Sequence, residues 1–158
     1  MADTITVDEL KAQVGGEERH SKWFEITQDK IDVFADATED WQFIHVDPEK
    51  AKHTPFGGTV AHGFLSLSML SAMLYDSEPT VGGVAMGVNY GFDKVRFVSP
   101  VKAGAKVRGV FKTVSVDEAG GPGRLLVTRE ATVEIEGETK PALKATWLGM
   151  LFMMPGEA

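Results

Sequence analysis

The chain has 158 residues, enough for one domain with a sizeable core, and its 43% hydrophobic and 25% charged residues are ordinary for a globular protein. Its formal charge of -7 argues against nucleic acid or an anionic membrane as the main partner. Cysteine is absent, which excludes disulfides, thiolate metal sites and cysteine nucleophiles.

The chain is predicted to form a single domain over residues 1–158, in which residues 1–18 are an N-terminal helical extension. A short helix is expected over residues 6–14, ending at Gly15-Gly16. The first residues lack the basic and apolar regions of a secretory signal. The longest apolar stretch, residues 64–75, is too short and too serine-rich to span a bilayer, so a cytoplasmic protein is expected.

A strand over residues 20–26 and a helix after it are predicted next. Thr27 is expected to cap that helix, which should end near Glu39. The helical spacing predicts that its buried face consists of Ile31, Phe34, Ala35 and Thr38.

Asp40 and His45 follow, five residues apart among large apolar neighbours. On a helix, five steps of about 100° leave two side chains roughly 140° apart. On a strand, an odd step places them on opposite faces. The chain must therefore turn between them if they act together, and a carboxylate that meets an imidazole in this way suggests chemistry. The alternative is that Asp40 caps a turn and His45 is a structural histidine.

Beyond this stretch, Asp47-Pro48 indicates a second helix start, with Asp as the cap and Pro at the first position. A glycine-rich loop over residues 56–59 then leads into a helix from about Ala61 to Tyr75. This helix is apolar on nearly every side, so it should be surrounded by other elements.

The second half of the chain is predicted to be β. Residues 84–92 alternate as a strand, and Val95 and Phe97 continue it on the other parity, which indicates a bulge near 91–93. Further strands are expected over residues 105–117 and 125–135 and from about Leu143 to Phe152. The third strand alternates between apolar and polar residues, which indicates one wet and one dry face. Because the dry face needs cover, the pattern predicts an α+β fold in which a curved antiparallel sheet wraps around a central helix, the hot-dog fold.

Three motifs resemble those of the MaoC-like (R)-specific enoyl-CoA hydratases and dehydratases, and most closely the nodulation protein N branch. They are Asp40-x4-His45, the run Pro55-Phe56-Gly57-Gly58-Thr59-Val60-Ala61-His62-Gly63, and Asn89-Tyr90-Gly91-x3-Val95-Arg96-Phe97. The first motif differs in part from the family pattern Gly-Asp-x-Asn-Pro-(aliphatic)-His. Glu39, Gln42 and Phe43 replace its Gly, Asn and Pro.

The resemblance implies a lyase that reversibly hydrates trans-2-enoyl thioesters or dehydrates (R)-3-hydroxyacyl thioesters. It implies that Asp40 is the general base on water, that His45 orients the water and takes part in proton transfer, and that the Gly63 amide is the oxyanion donor. Burial would raise the pKa of Asp40 and a charged His45 would lower it, and the sequence leaves open which effect is larger.

Four further residues are candidates for substrate binding: His62, Phe56, Gly58 and Asn89. Each also has a structural alternative, such as capping, packing or turn geometry. No metal site is predicted, because the spacing of the histidines matches no common ligand pattern. No cofactor is expected either, since coenzyme A or phosphopantetheine would be part of the substrate.

A homodimer is implied because one sheet around one helix leaves an exposed edge. An acyl carrier protein is a further candidate partner. Two other functions stay open at this point: a hot-dog acyl-CoA thioesterase, and a non-catalytic subunit that binds acyl thioesters.

Overall fold

The computed structural model describes residues 3–156, in which short helices and strands precede four long antiparallel strands. The helices are α1 (Val7–Ala12), α2 (Gln28–Thr38), α3 (Phe43–Val46), α4 (Pro48–Ala51), α5 (Gly63–Ser68) and α6 (Leu70–Ser77). The strands are β1 (Thr4–Ile5), β2 (Arg19–His20), β3 (Phe24–Glu25), β4 (Thr80–Val81), β5 (Val84–Phe97), β6 (Lys106–Glu118), β7 (Arg124–Ile135) and β8 (Leu143–Met153).

Side-chain caps fix where three of the helices begin. Thr6 and Glu9 form a reciprocal capping box at α1. The Thr27 side chain accepts from the Lys30 amide, as predicted for the start of α2. The Asp47 side chain accepts from the Lys50 amide in the same way at the start of α4, where Pro48 is the first residue. The predicted starts of α2 and α4 are therefore confirmed.

The main sheet is antiparallel, with the order β2-β6-β7-β8-β5, and β3 also pairs with β6. Its edge strand β5 shows register shifts between Asn89 and Gly91 and between Phe92 and Lys94, where the bulge was expected. Separately, β1 and β4 form a two-stranded parallel sheet.

The core lies between the sheet and the helices α2, α5 and α6. Strand β7 alternates between buried and partly exposed residues, as its sequence predicts. The helices contribute a set of fully or nearly fully buried apolar side chains: Ile31, Ala35, Leu65, Leu70 and Met73. The α+β fold with an antiparallel sheet packed around a helix is thus confirmed.

A buried ion pair ties the end of α6 to the sheet. Arg129 on β7 donates three hydrogen bonds of 2.7–3.1 Å to the carboxylate of Glu78, and both side chains are less than a tenth exposed. Within residues 3–156, no helix is both long and apolar enough to cross a membrane.

Three expectations about the elements were wrong. Residues 20–26 form two short strands, β2 and β3, because the regular ladder with β6 is interrupted at Ser21, whose side-chain hydroxyl accepts from the Gly109 amide. Thr38 is exposed, and its hydroxyl donates to the Phe34 carbonyl within the helix. The central helix starts at Gly63 and is divided at Met69 into α5 and α6.

That central helix is also not surrounded on every side in the single chain. Phe64 and Tyr75 are 67% and 79% exposed. Nearby Ser68 donates back to the Phe64 carbonyl at 2.7 Å, the local bonding that serine favours in a helix. Part of the apolar helix surface thus faces away from the core.

Candidate active site

A left-handed residue at the end of α2 produces the turn that Asp40 and His45 require. Glu39 has a φ of 59°, the only positive φ at a non-glycine position in residues 3–156. The next amide, that of Asp40, then bonds the Ala35 carbonyl at 3.1 Å and closes the helix end. The chain reverses and enters α3, which carries His45 back toward Asp40.

His45 is a buried imidazole held in one orientation. Its Nδ1 lies 2.6 Å from the Val60 carbonyl oxygen, and since a carbonyl only accepts, Nδ1 carries the proton. Nε2 therefore keeps its lone pair. Burial lowers the pKa of His45, and nearby His62 acts in the same direction; the bond to Val60 and the carboxylate of Asp40 partly oppose this. The geometry describes a neutral His45 with a free Nε2.

His62 lies against both members of the pair. Its ring stacks on that of His45, with centroids 3.8 Å apart and planes inclined by 24°. Its Nε2 donates to the backbone carbonyl of Asp40 at 2.9 Å, and Phe34 packs at 5.0 Å on the ring. Only 3% of His62 is exposed. The histidine proposed as a substrate contact thus touches the backbone and side chains of the site itself.

Asp40 presents its carboxylate at the surface beside the two imidazoles. One carboxylate oxygen and one nitrogen of each ring lie within 4.8 Å of one another. The apolar neighbours do not bury it, because Trp41 and Phe43 are 54% and 42% exposed. The Trp41 indole instead donates to Asp36 at 2.8 Å. In the single chain, therefore, these neighbours leave the Asp40 carboxylate exposed.

Residues outside the predicted set support this segment. The Gln28 amide donates at 2.7 Å to the backbone carbonyl of His45 and accepts from the hydroxyl of Thr59. Gln28 thereby links α2 to His45 in α3 and to Thr59, which lies in the loop before α5. Sequence reasoning missed it, because the spacing of 17 residues to His45 gives no local signal.

Gly63 is the first residue of α5 and directly follows His62. A helix leaves the amides of its first turn without an intrahelical partner, and the Gly63 N–H is one of these. A Cβ at this position would lie 3.0 Å from two ring atoms of Phe97. Gly63 and Phe97 also line a cavity of about 210 Å³ with Ser66 and Ala142. Any larger residue here would require the half-exposed Phe97 ring to shift.

The other three candidate contacts are not brought into the histidine cluster. Phe56 and Gly58 lie in the loop before Thr59, where Gly57, with a φ of 69°, makes the turn. Asn89 is exposed on β5, opposite Gly149 of β8. Their roles in substrate binding stay predictions.

Asp40, His45 and His62 form the one cluster in residues 3–156 with a donor set that could hold a metal ion. Each imidazole uses one nitrogen on a backbone carbonyl, so one nitrogen of each ring and the Asp40 carboxylate remain as possible ligands. The expectation that no metal binds here stays a prediction.

Comparison with known proteins gives a consistent set of relatives. Residues 9–135 match the family model for the MaoC like domain. Nodulation protein N of Rhizobium leguminosarum bv. viciae is 47% identical over 97% of this chain and 95% of its own. The 3-hydroxyacyl-thioester dehydratase Z of Mycobacterium tuberculosis is 45% identical over 89% and 91%. Among solved structures, the (R)-hydratase of A. caviae involved in PHA biosynthesis superposes with a TM-score of 0.70, at 21% identity over 85% of this chain and 93% of that one.

Proposed function

Because the chain belongs to the MaoC-like family, we propose that it is a hydro-lyase acting on acyl thioesters. The reaction is the reversible addition of water to a trans-2-enoyl thioester, which gives the (R)-3-hydroxyacyl thioester. The observation that carries the proposal is the convergence of Asp40 and His45 beside the start of α5. The names of the relatives, a thioester dehydratase and an (R)-hydratase, support the same reaction class.

In the proposed mechanism, one water molecule is held between Asp40 and His45. The free Nε2 of neutral His45 accepts a hydrogen bond from the water, while Asp40 takes a water proton as the oxygen bonds to the β-carbon. The pair then returns a proton to the α-carbon, so hydrogen and hydroxyl add across the double bond. The dehydration follows the same steps in reverse.

The thioester carbonyl needs a donor while negative charge develops on its oxygen. The Gly63 amide is the proposed donor, and the positive end of the α5–α6 dipole adds to it. Because His62 precedes Gly63 and contacts Asp40 and His45, one short segment links the water-activating pair to this amide. The acyl carrier, coenzyme A or an acyl carrier protein, is part of the substrate, and the mechanism uses no further cofactor.

A homodimer through β5 is part of the proposal. Apolar side chains at alternating positions along this edge strand are exposed in the single chain: Met86 54%, Val88 43% and Tyr90 62%. The strand also has an unpaired edge, since its one neighbour in the described sheet is β8. A second copy that pairs along β5 would cover both the edge and the apolar side chains.

The test is the loss of enone absorbance with a short trans-2-enoyl-CoA, comparing the parent with Asp40→Asn. Removing the general base should lower the rate by at least about a hundredfold. Asp117→Asn, at an exposed position near the end of β6, is the matched control and should retain the parent rate. The proposal fails if the parent consumes no enone or if Asp40→Asn keeps the parent rate.

Release of free thiol, followed in parallel with a thiol reagent, checks the reaction type. A hydro-lyase consumes the enone without releasing thiol. Thiol release with the enone left intact would identify a thioesterase instead. Thermal stabilisation by acyl-CoA without either reaction would identify a non-catalytic binding subunit.

A further inference from the structure

We propose that His62 is a positioning residue that holds Asp40 and His45 in register, as a neutral imidazole with its proton on Nε2. The inference rests on the proposed hydro-lyase function and assigns His62 a role other than contact with substrate. Its basis is the pair of contacts that His62 makes with the reacting residues, a hydrogen bond to Asp40 and a ring stack on His45.

The hydrogen bond fixes the tautomer of His62. The Asp40 carbonyl can only accept, so the nitrogen 2.9 Å away, Nε2, must be the donor. The other nitrogen, Nδ1, is buried and has no hydrogen-bond partner among the described residues. A proton on Nδ1 would therefore be a buried N–H group without an acceptor, which is costly. Both facts favour the neutral Nε2–H form.

This bond also holds the backbone of Asp40 from a second side. The Asp40 amide is tied to α2 through the Ala35 carbonyl, and its carbonyl is tied to the start of α5 through His62. The carboxylate itself is exposed, with a long bond of 3.4 Å from the Gln42 amide. Because its side chain has few restraints, the position of Asp40 depends on its backbone, and therefore on His62.

The stack restricts His45 in a complementary way. The Val60 carbonyl holds one edge of the His45 ring, and the His62 ring covers a face at 3.8 Å. Rotation of His45 would break the bond and meet the second ring. The His62 side chain therefore restrains both the backbone of Asp40 and the ring of His45.

Two substitutions separate the two contacts. His62→Gln keeps an N–H donor for the Asp40 carbonyl and removes the aromatic ring, whereas His62→Phe keeps a ring and removes the donor. We expect His62→Phe to lower kcat for enoyl-CoA hydration by about a hundredfold, the effect of misplacing a reacting group by about 1 Å. KM should change little, because the proposed role of His62 is to position the reacting residues. His62→Gln should recover part of the kcat, because it restores the bond to the Asp40 carbonyl but not the stack on His45.

His53→Gln is the matched control, since His53 is exposed and outside the cluster. It should retain the parent kcat, and melting curves should show that each variant is folded. Equal kcat for the Gln and Phe variants, or a loss expressed only in KM, would overturn the positioning role.

An independent readout does not need activity. Imidazole ¹⁵N shifts of the parent should show a protonated Nε2 and an unprotonated Nδ1 at His62 at neutral pH, and the Asp40 amide resonance should move in His62→Phe but stay near its parent position in His62→Gln. A proton on Nδ1, or an Asp40 amide that moves equally in both variants, would overturn the inference. If the parent consumes no enone, the proposed function fails, while these spectra still decide the role of His62.

Discussion

Replacing Glu39 with glycine should stabilise the protein. A left-handed conformation costs an L-residue about 1–2 kcal/mol. Glycine avoids that cost but loses more backbone entropy on folding, about 0.5–1 kcal/mol. Glu39 has a φ of 59° and an exposed side chain, so Glu39→Gly should raise the free energy of unfolding by about 1 kcal/mol. The same position is glycine in the family pattern that this chain otherwise resembles.

Urea unfolding at a fixed protein concentration measures the effect, and the melting temperature should rise by about 2–4 °C for a chain of this length. Glu39→Ala is the control, because it removes the carboxylate but keeps the Cβ that opposes the left-handed conformation. Enone consumption should be unchanged, since the Asp40 amide still bonds the Ala35 carbonyl. If the glycine variant is no more stable than the alanine variant, the reasoning about the left-handed turn is refuted.

Three further predictions concern packing, charge and pH. Gly63→Ala should cost about 1 kcal/mol of unfolding free energy, the low end for overpacking, because the new Cβ meets the Phe97 ring at 3.0 Å but that ring is half exposed and can shift. Adding Phe97→Leu to this variant should recover most of the lost unfolding free energy, measured by urea unfolding. If nothing is recovered, contact with Phe97 is not the reason for glycine at position 63. Arg129→Met should cost about 3–5 kcal/mol by leaving the Glu78 carboxylate buried and unpaired. The double variant Arg129→Met/Glu78→Leu should be clearly more stable than Arg129→Met alone. Equal unfolding free energies of these two variants would contradict this account. The folded pKa of His45 lies below the unfolded value of about 6.5, so the unfolded chain binds more protons as the pH falls through that value. The unfolding free energy of the parent should therefore fall from pH 7 toward pH 5, and that of His45→Gln should fall less steeply. Parallel pH profiles for the two proteins would contradict the lowered pKa of His45.

Local signals in the sequence were enough to predict the elements that flank the site. Thr27 and Asp47-Pro48 mark helix starts because a cap acts on amides two or three residues away. The convergence of Asp40 and His45 could be anticipated as a turn, since no regular element joins them. The left-handed conformation of Glu39 has no signal in the residue itself, because glycine is the residue expected there; only the glycine at this position of the family pattern points to it.

What the sequence did not predict depends on contacts between distant residues. The bond from His62 to the Asp40 carbonyl spans 22 residues, and the bond from Gln28 to the His45 carbonyl spans 17. The apolar pattern of residues 61–75 predicted a helix surrounded on all sides, whereas Phe64 is 67% exposed. Hydrophobicity alone does not tell whether a face packs in its own chain or against a second copy.

The groups of the proposed site all come from one short segment of the chain, which has a consequence for a dimer. Asp40, His45 and the Gly63 amide all come from residues 39–63 of one chain, joined by contacts within that chain. In a dimer formed through β5, each protomer would therefore carry its own complete set of these groups. Mixed dimers of Asp40→Asn and His45→Gln chains should therefore stay inactive, whereas a set shared between protomers would restore one complete site in each mixed dimer.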